Sequence, residues 1–305
     1  MNNKNKENQR FSNSSKITKK KKEALKLLKN IGIDTRFISY AENTIYINDQ
    51  RFSKFSKKRQ ETFKKYYPEM KIISSSAFQK ICIRASKVLS EELSPKDKIL
   101  LLKPENSNDN LLKIVLEPYS RKYGVSIIES EIKSTEIDLY FNNASNMNFN
   151  NPDNINLDIN ENIDVIAKSM TLDEKVENIF SNIFSGNGIG NIAEKENNEI
   201  KVIYPFINTS NNWIESFNNY IQENYENNNN YLNITDNNTI KNENIENKNY
   251  ENNNNTINTK YTNENKNEEA ITIADSFMEF LDNIVPQYKE NLLKSSIFIE
   301  NYLKR

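Results

Sequence analysis

The chain has no histidine and a single cysteine, Cys82, in 305 residues. Histidine general-base chemistry, histidine-held zinc and multi-cysteine clusters within one chain are thereby excluded, and so is a disulfide framework. Cys82 stands among Ala77, Phe78, Ile81, Ala85, Val88 and Leu89, which repeat at helical spacing, so its thiol is expected in a core rather than as a nucleophile. No apolar run approaches the roughly 20 residues that a membrane-spanning helix needs, and the first 22 residues are polar and lysine-rich without a hydrophobic signal segment. A cytoplasmic protein with no membrane contact is expected. Apolar residues make up 36%, enough for a core but not for one that runs through the whole length.

Charge is plentiful and unevenly placed. The formal net charge is −1, yet lysines and arginines crowd Lys4 to Lys71 while acids dominate Glu129 to Glu199. Such a front end suits a polyanion, through Lys57, Lys58, Arg59, Lys64 and Lys65 on a helix that also carries Phe55, Phe63, Tyr66 and Tyr67. A solvated lysine-rich surface explains the same charges without a partner. Aromatics among lysines can stack on RNA bases, but at this spacing they more often pack inward.

Residues 1–20 lack periodic apolar residues and are expected to be a disordered basic arm. Residues 21–92 are expected to be a basic helical region with a short strand. There Ala24, Leu25, Leu27 and Leu28 begin a helix that Gly32 ends, and Thr44 to Phe52 is a strand running into a turn. Ser53 then caps a helix stopped by Pro68, and a long helix runs from Ser76 to Leu93.

Residues 93–222 carry the topology. Lys98 to Lys103 is an apolar run, a helix follows with Leu111, Leu112, Val115 and Tyr119, and Val125 to Ile132 returns as a strand. That is a β–α–β unit, whose strand, apolar on both faces, belongs in a covered parallel sheet with a right-handed crossover. Pro118 is expected to kink or shorten the crossover helix. Further parallel strands are expected at Ile163 to Ala167 and Ile200 to Phe206, the second followed by a helix with Trp213, Ile214, Phe217, Tyr220 and Ile221. After the first of these, Thr171 and Glu174 have capping-box spacing, Val176, Ile179, Phe180, Ile183 and Phe184 line one helical side, and Gly186 supplies a C-cap. Two asparagine-rich stretches, about 142–162 and about 223–267, bury too little apolar surface to order themselves, and an AT-rich genome accounts for their composition without a function. Residues 268–305 are expected as C-terminal helices, with Ala274, Phe277, Met278, Leu281 and Ile284 on one face and Pro286 as a breaker before Leu292, Leu293, Ile297 and Phe298.

In doubly wound sheets ligands sit beyond the carboxyl ends of strands, where amides and helix N-termini meet anions. Lys103-Pro-Glu-Asn-Ser-Asn-Asp-Asn110 and Lys168-Ser-Met-Thr-Leu-Asp-Glu174 are the loops so placed. Together with Asp173 to Gly186, the strand Ile200-Lys-Val-Ile-Tyr-Pro-Phe206 and the closing segment Phe277 to Ser295, they resemble the PP-loop ATP pyrophosphatase superfamily, in particular its tRNA 2-thiolation enzymes and tRNA lysidine synthetases. The resemblance covers about residues 76 to 305 in order and spacing. It implies an α/β, Rossmann-like fold of the adenine nucleotide alpha hydrolase-like kind, a parallel sheet flanked by helices, with a helical basic N-terminal region and C-terminal helices.

It also implies a nucleotide site at Asn106, Ser107, Asn108, Asp109, Lys168, Thr171 and Asp173, with Asp109 as candidate catalytic residue. ATP with magnesium is the implied cofactor, and Asp173 and Glu174 are the candidate magnesium ligands, although a helix N-terminus favours acids in any case. No zinc or iron–sulfur cluster is expected. The family's loop is Ser-Gly-Gly-x-Asp-Ser, and here Asn106 and Ser107 stand where its glycines allow close approach to phosphate, with Glu105 adding negative charge. Lys168, Ser169 and Met170 replace Gly-His-Asn, and the thiolation branch's cysteine pairs are missing. The expected function is therefore a catalytically degenerate PP-loop protein, a binding or scaffold subunit in tRNA modification, with wobble-uridine 2-thiolation as the process. Its expected partners are tRNA and either a homologous active subunit or a second copy of itself. Two alternatives stand: an active ATP-dependent tRNA-adenylating enzyme of thiolase or lysidine-synthetase type, and an RNA-binding module on an inert α/β body.

Overall fold

The first layer follows from short alternating strands. A helix over residues 19–30 (α1) ends at Gly32, whose φ of 81° is the left-handed cap the sequence implied. β1 (Ile38–Ala41) and β2 (Thr44–Ile47) form an antiparallel hairpin, and β3 (Lys71–Ile73) adds parallel to β2, in the order β1-β2-β3. Where one short strand was expected there are three. Between β2 and β3 lie α2 (Gln50–Ser53) and α3 (Lys57–Tyr66). Ser53 does not cap α3: it closes α2 and is buried, Lys54 takes a left-handed φ of 58°, and Ser56 precedes the helix. Ala24, Leu28, Ile38, Ile45, Ile47, Phe55, Phe63 and Met70 form one buried cluster.

The structure, a computed structural model, describes residues 19–134, 137, 163–188, 200–225 and 263–303. The expected arm lies outside the described residues up to 18, with 19 and 20 already helical; so do the stretch 142–162 and residues 226–262 of the other asparagine-rich stretch.

α4 (Ser76–Glu92) is capped by Ser75, whose side chain accepts from the Phe78 amide, and it buries Phe78, Ile81, Cys82, Ala85 and Leu89. Then come β4 (Lys98–Leu101), α5 (Ser107–Leu116), α6 (Tyr119–Lys122) and β5 (Ser126–Glu129). Pro118 separates the two helices, as a residue with no amide hydrogen should. β6 (Val165–Ala167) leads into α7 (Leu172–Phe184), and β7 (Lys201–Ile203) into α8 (Asn211–Tyr225). The second sheet is wholly parallel, in the order β5-β4-β6-β7. Alternate residues of its central strands are buried on opposite faces: Ile99, Leu101, Val165 and Ala167 in one cluster, Leu100 and Ile166 in another. That double burial is why the strand sequences are continuously apolar. The fold is α/β, with a parallel sheet flanked by helices.

The chain divides into two compact units, one holding the described residues up to Leu172 with 200–225, the other Asp173 to 188 with α9 (Asn263–Ile284) and α10 (Tyr288–Leu303). In the first unit the main cluster runs without a break from Tyr46 and Phe78 to Phe217, so residue 93 is not a packing boundary. In the second, Gly186 at φ 78° closes α7 with a Schellman pair, its amide donating to the Ile183 carbonyl and that of Asn187 to the Asn182 carbonyl. Phe180 of α7 meets Phe277 edge-on at 5.1 Å, and Lys289 bridges Asp173 and Asp282 at 2.7 and 3.0 Å. No helix among the described residues is long and apolar enough to cross a membrane.

Candidate functional site

After β4 the chain moves to β5 on one side, and only later to β6 on the other, so neighbours β4 and β6 mark the point where the strand order reverses. Loops leaving adjacent strands at such a point diverge and open a crevice at the strands' carboxyl ends. The turn at 102–106 and the loop at 168–171 leave from there.

Within the turn, Asp109 is the hub. Its Oδ2 accepts from the amides of Glu105 at 2.9 Å and Asn106 at 3.3 Å, and its Oδ1 accepts from the Ser169 hydroxyl at 2.6 Å. Asn106 returns the favour as N-cap of α5, its Oδ1 accepting from the Asp109 amide at 3.0 Å, which completes a capping box. The Ser107 hydroxyl accepts from Asn218 of α8 at 3.4 Å. A helix N-terminus favours an anion; here that anion is the chain's own carboxylate. Two amides of the turn point at it, so those two donors are taken up within the turn itself.

The structure thus brings Asn106, Ser107, Asn108 and Asp109 into one half-buried turn and ties it to Ser169, with Lys168 and Thr171 flanking Ser169 in sequence. Lys168 and Thr171 are themselves buried, and the Lys168 amide donates to the Ile203 carbonyl within the sheet. Nothing in a lone serine marks Ser169 in the sequence; its signal is its position two residues past the end of β6, the strand adjoining β4. Asp173 belongs to the second unit, where Lys289 holds its carboxylate in an ion pair 18% and 16% exposed. Burial alone would lower the Lys289 pKa, but its hydrogen bonds to Asp173 and Asp282 outweigh that and hold it above the ordinary lysine range. Glu174 lies half-buried in the first turn of α7. Among the described residues no group of three or more carboxylate, thiol or imidazole ligands is placed to hold a metal ion. Cys82 is buried, as expected, and burial pushes its thiol far above the ordinary range.

On α3 the side chains of Lys57, Lys58, Lys64 and Lys65 are exposed, whereas Arg59 folds back to donate to the Lys54 carbonyl at 2.7 Å. Phe55 and Phe63 pack inward, and Tyr66 stays in solvent at 68% exposure. A second cationic surface is not evident from the sequence, since it joins distant segments: Phe52 stacks on Phe37 at 5.1 Å, with Arg51 and Lys122 over the rings at 5.5 and 5.1 Å. No protein-family model and no curated protein matches this chain.

Proposed function

We propose that the chain is a catalytically degenerate PP-loop-type protein that binds tRNA and serves as a scaffold subunit in tRNA modification, with wobble-uridine 2-thiolation as the process. One observation carries the degenerate part: the Asp109 carboxylate occupies the anion position of the turn after β4 and is held there by the Glu105 and Asn106 amides and the Ser169 hydroxyl. An incoming phosphate would meet a like charge and donors already engaged, a repulsion of about 1 kcal/mol in screened contact and more when desolvated. An active adenylating enzyme would need that position open. The RNA part is supported by the exposed Lys57, Lys58, Lys64, Lys65 and Tyr66 of α3, cations for phosphates beside a ring for a base.

Calorimetry with magnesium-ATP and recovery of the untagged protein from its native host test the two parts separately. The expected result is no saturable heat with magnesium-ATP, and tRNA in the recovered material. Saturable heat that Asp109→Ala abolishes would establish the enzyme instead. Recovery without tRNA would remove the RNA part. Removing residues 1–71 is a poor test of RNA binding, because β1, β2 and Tyr46 belong to the folded unit.

A further inference from the structure

α9 buries Ala270, Ala274 and Met278 and leaves several large apolar side chains outward: Ile273, Phe277, Phe280 and Ile284 are 52, 38, 56 and 57% exposed. Their 4-3-4 spacing sets them in one line along the helix, with the ring of Phe277 stacked on that of Phe280 at 6.3 Å and edge-on to that of Phe184 at 5.8 Å. Isolated exposed apolar residues need no explanation, but an aligned set of large ones marks an interface.

We propose that this stripe pairs antiparallel with the same stripe of a second copy of the chain. The stripe reads Ile-Phe-Phe-Ile with spacing that is the same in both directions. A two-fold axis between positions 278 and 279 therefore sets Ile273 against Ile284 of the second copy, and Phe277 against Phe280, so that each residue type meets its own kind. Antiparallel pairing also opposes the two helix dipoles. The stripe is edged by Thr272, Ser276 and Asn283, and the acids Asp275, Glu279 and Asp282 lie around the helix from it. Between Ile273 and Ile284 nothing charged on it repels a second copy or calls for an oppositely charged partner. At about 200 Å² for a large side chain, the exposed parts of the stripe and Phe184 come to roughly 450 Å² per copy, about half of a standard interface before its polar rim is added. A reversible dimer with a Kd in the micromolar class is the consequence, not an obligate one. The inference concerns the second unit's surface alone and holds whether or not the chain binds tRNA.

Sedimentation of the full chain from about 1 to about 200 µM, a range that brackets such a Kd, tests it. A concentration-dependent dimer is expected, and Phe280→Glu should weaken it at least about 30-fold, as the loss of a central aromatic anchor does. Ile273→Lys and Ile284→Glu should each weaken self-association, and mixing the two variants should restore a dimer, because antiparallel pairing places position 273 of one against position 284 of the other. Restoration also demonstrates that both variants are folded. A monomer at every concentration, whether because another chain or a different stretch of this one covers the stripe, overturns the proposal. So does a dimer indifferent to Phe280→Glu, or a mixture that fails to recover.

Discussion

The two units treat the same side chain in opposite ways. In the α/β unit Phe55, Phe63, Phe78 and Phe206 are wholly buried, whereas in the helical unit Phe280 is 56% and Phe298 70% exposed. Phe63 and Phe78 stand on helices that are amphipathic by spacing, as Phe280 and Phe298 do, so periodicity does not separate the two cases. What separates them is supply: a sheet covered on both faces offers an enclosing surface to every helix laid on it, while the few described helices of the second unit expose more apolar arc than they can cover for one another. An apolar stripe in sequence predicts that something must cover it, and only the packing says whether the cover lies in the same unit.

The largest expected effect lies at the centre of the enclosed core. Phe78 packs against Tyr46 at 5.5 Å and Phe217 at 4.9 Å, joining β2, α4 and α8. Phe78→Ala should cost about 4 kcal/mol in urea denaturation, from lost transfer energy and the cavity left behind. Because that cluster runs through residue 93, the unit should still unfold in one transition. Two transitions, with residues up to 92 melting apart from the sheet, would break the contrast by making the enclosed unit two smaller ones.

Next in size is a buried charge. Glu117 accepts from both guanidinium nitrogens of Arg121 at 2.6 and 2.7 Å and from the Tyr40 amide at 3.0 Å, and pairs with Lys21 at 2.7 Å. Burial alone would raise its pKa, but the hydrogen bonds and charges of Arg121 and Lys21 outweigh it and hold the carboxyl below the ordinary glutamate value. A depressed folded pKa means stabilisation that is complete above the unfolded value, about 4.3, and is lost as pH falls through the folded one. Glu117→Gln should therefore cost about 3 kcal/mol at neutral pH, and the gap to wild type should close on acidification below pH ~4. A gap independent of pH would mean that packing, not charge, holds α1 to α6.

A smaller effect sharpens the site. Asp109→Ala removes a cap and three accepted hydrogen bonds, for about 1.5 kcal/mol. It also empties the anion position. Inorganic phosphate should then raise the melting temperature of Asp109→Ala and leave wild type unmoved; equal responses would mean that Asp109 is not what fills the turn.

Much of this was legible in the sequence. The continuous apolar runs Lys98 to Lys103 and Ile163 to Ala167 announced strands buried on both faces, Pro118 broke the crossover helix, and Gly186 capped α7. β1 and β3 carry no clear mark in the sequence, and Ser53, a serine before a basic helix, resembles a cap whether or not it faces one. At the site, Asn106 to Asp109 was found by position after β4, yet the sequence treated Asp109 as a ligand for something else. That its carboxylate turns back onto the Glu105 and Asn106 amides is a matter of rotamer and turn geometry, which residue identity leaves open. Ser169 escaped for a different reason: its partner is remote in sequence and is brought near only by β6 lying beside β4.

The smallest expected effect is the most direct trial of the contrast between the units. Phe280→Ser removes the same ring as Phe78→Ala, from a helix of the same kind, but from a position that is mostly solvated. Serine and phenylalanine differ little in helix propensity. With the protein dilute enough to be monomeric, the variant should therefore shift folding stability by no more than about 0.5 kcal/mol, as exposed substitutions do. At higher concentration the stabilisation that wild type gains by mass action should be missing from the variant. A cost comparable with that of Phe78→Ala in dilute solution would mean that the ring is covered within the monomer, and the distinction between an enclosed unit and one that awaits a partner would have to be given up.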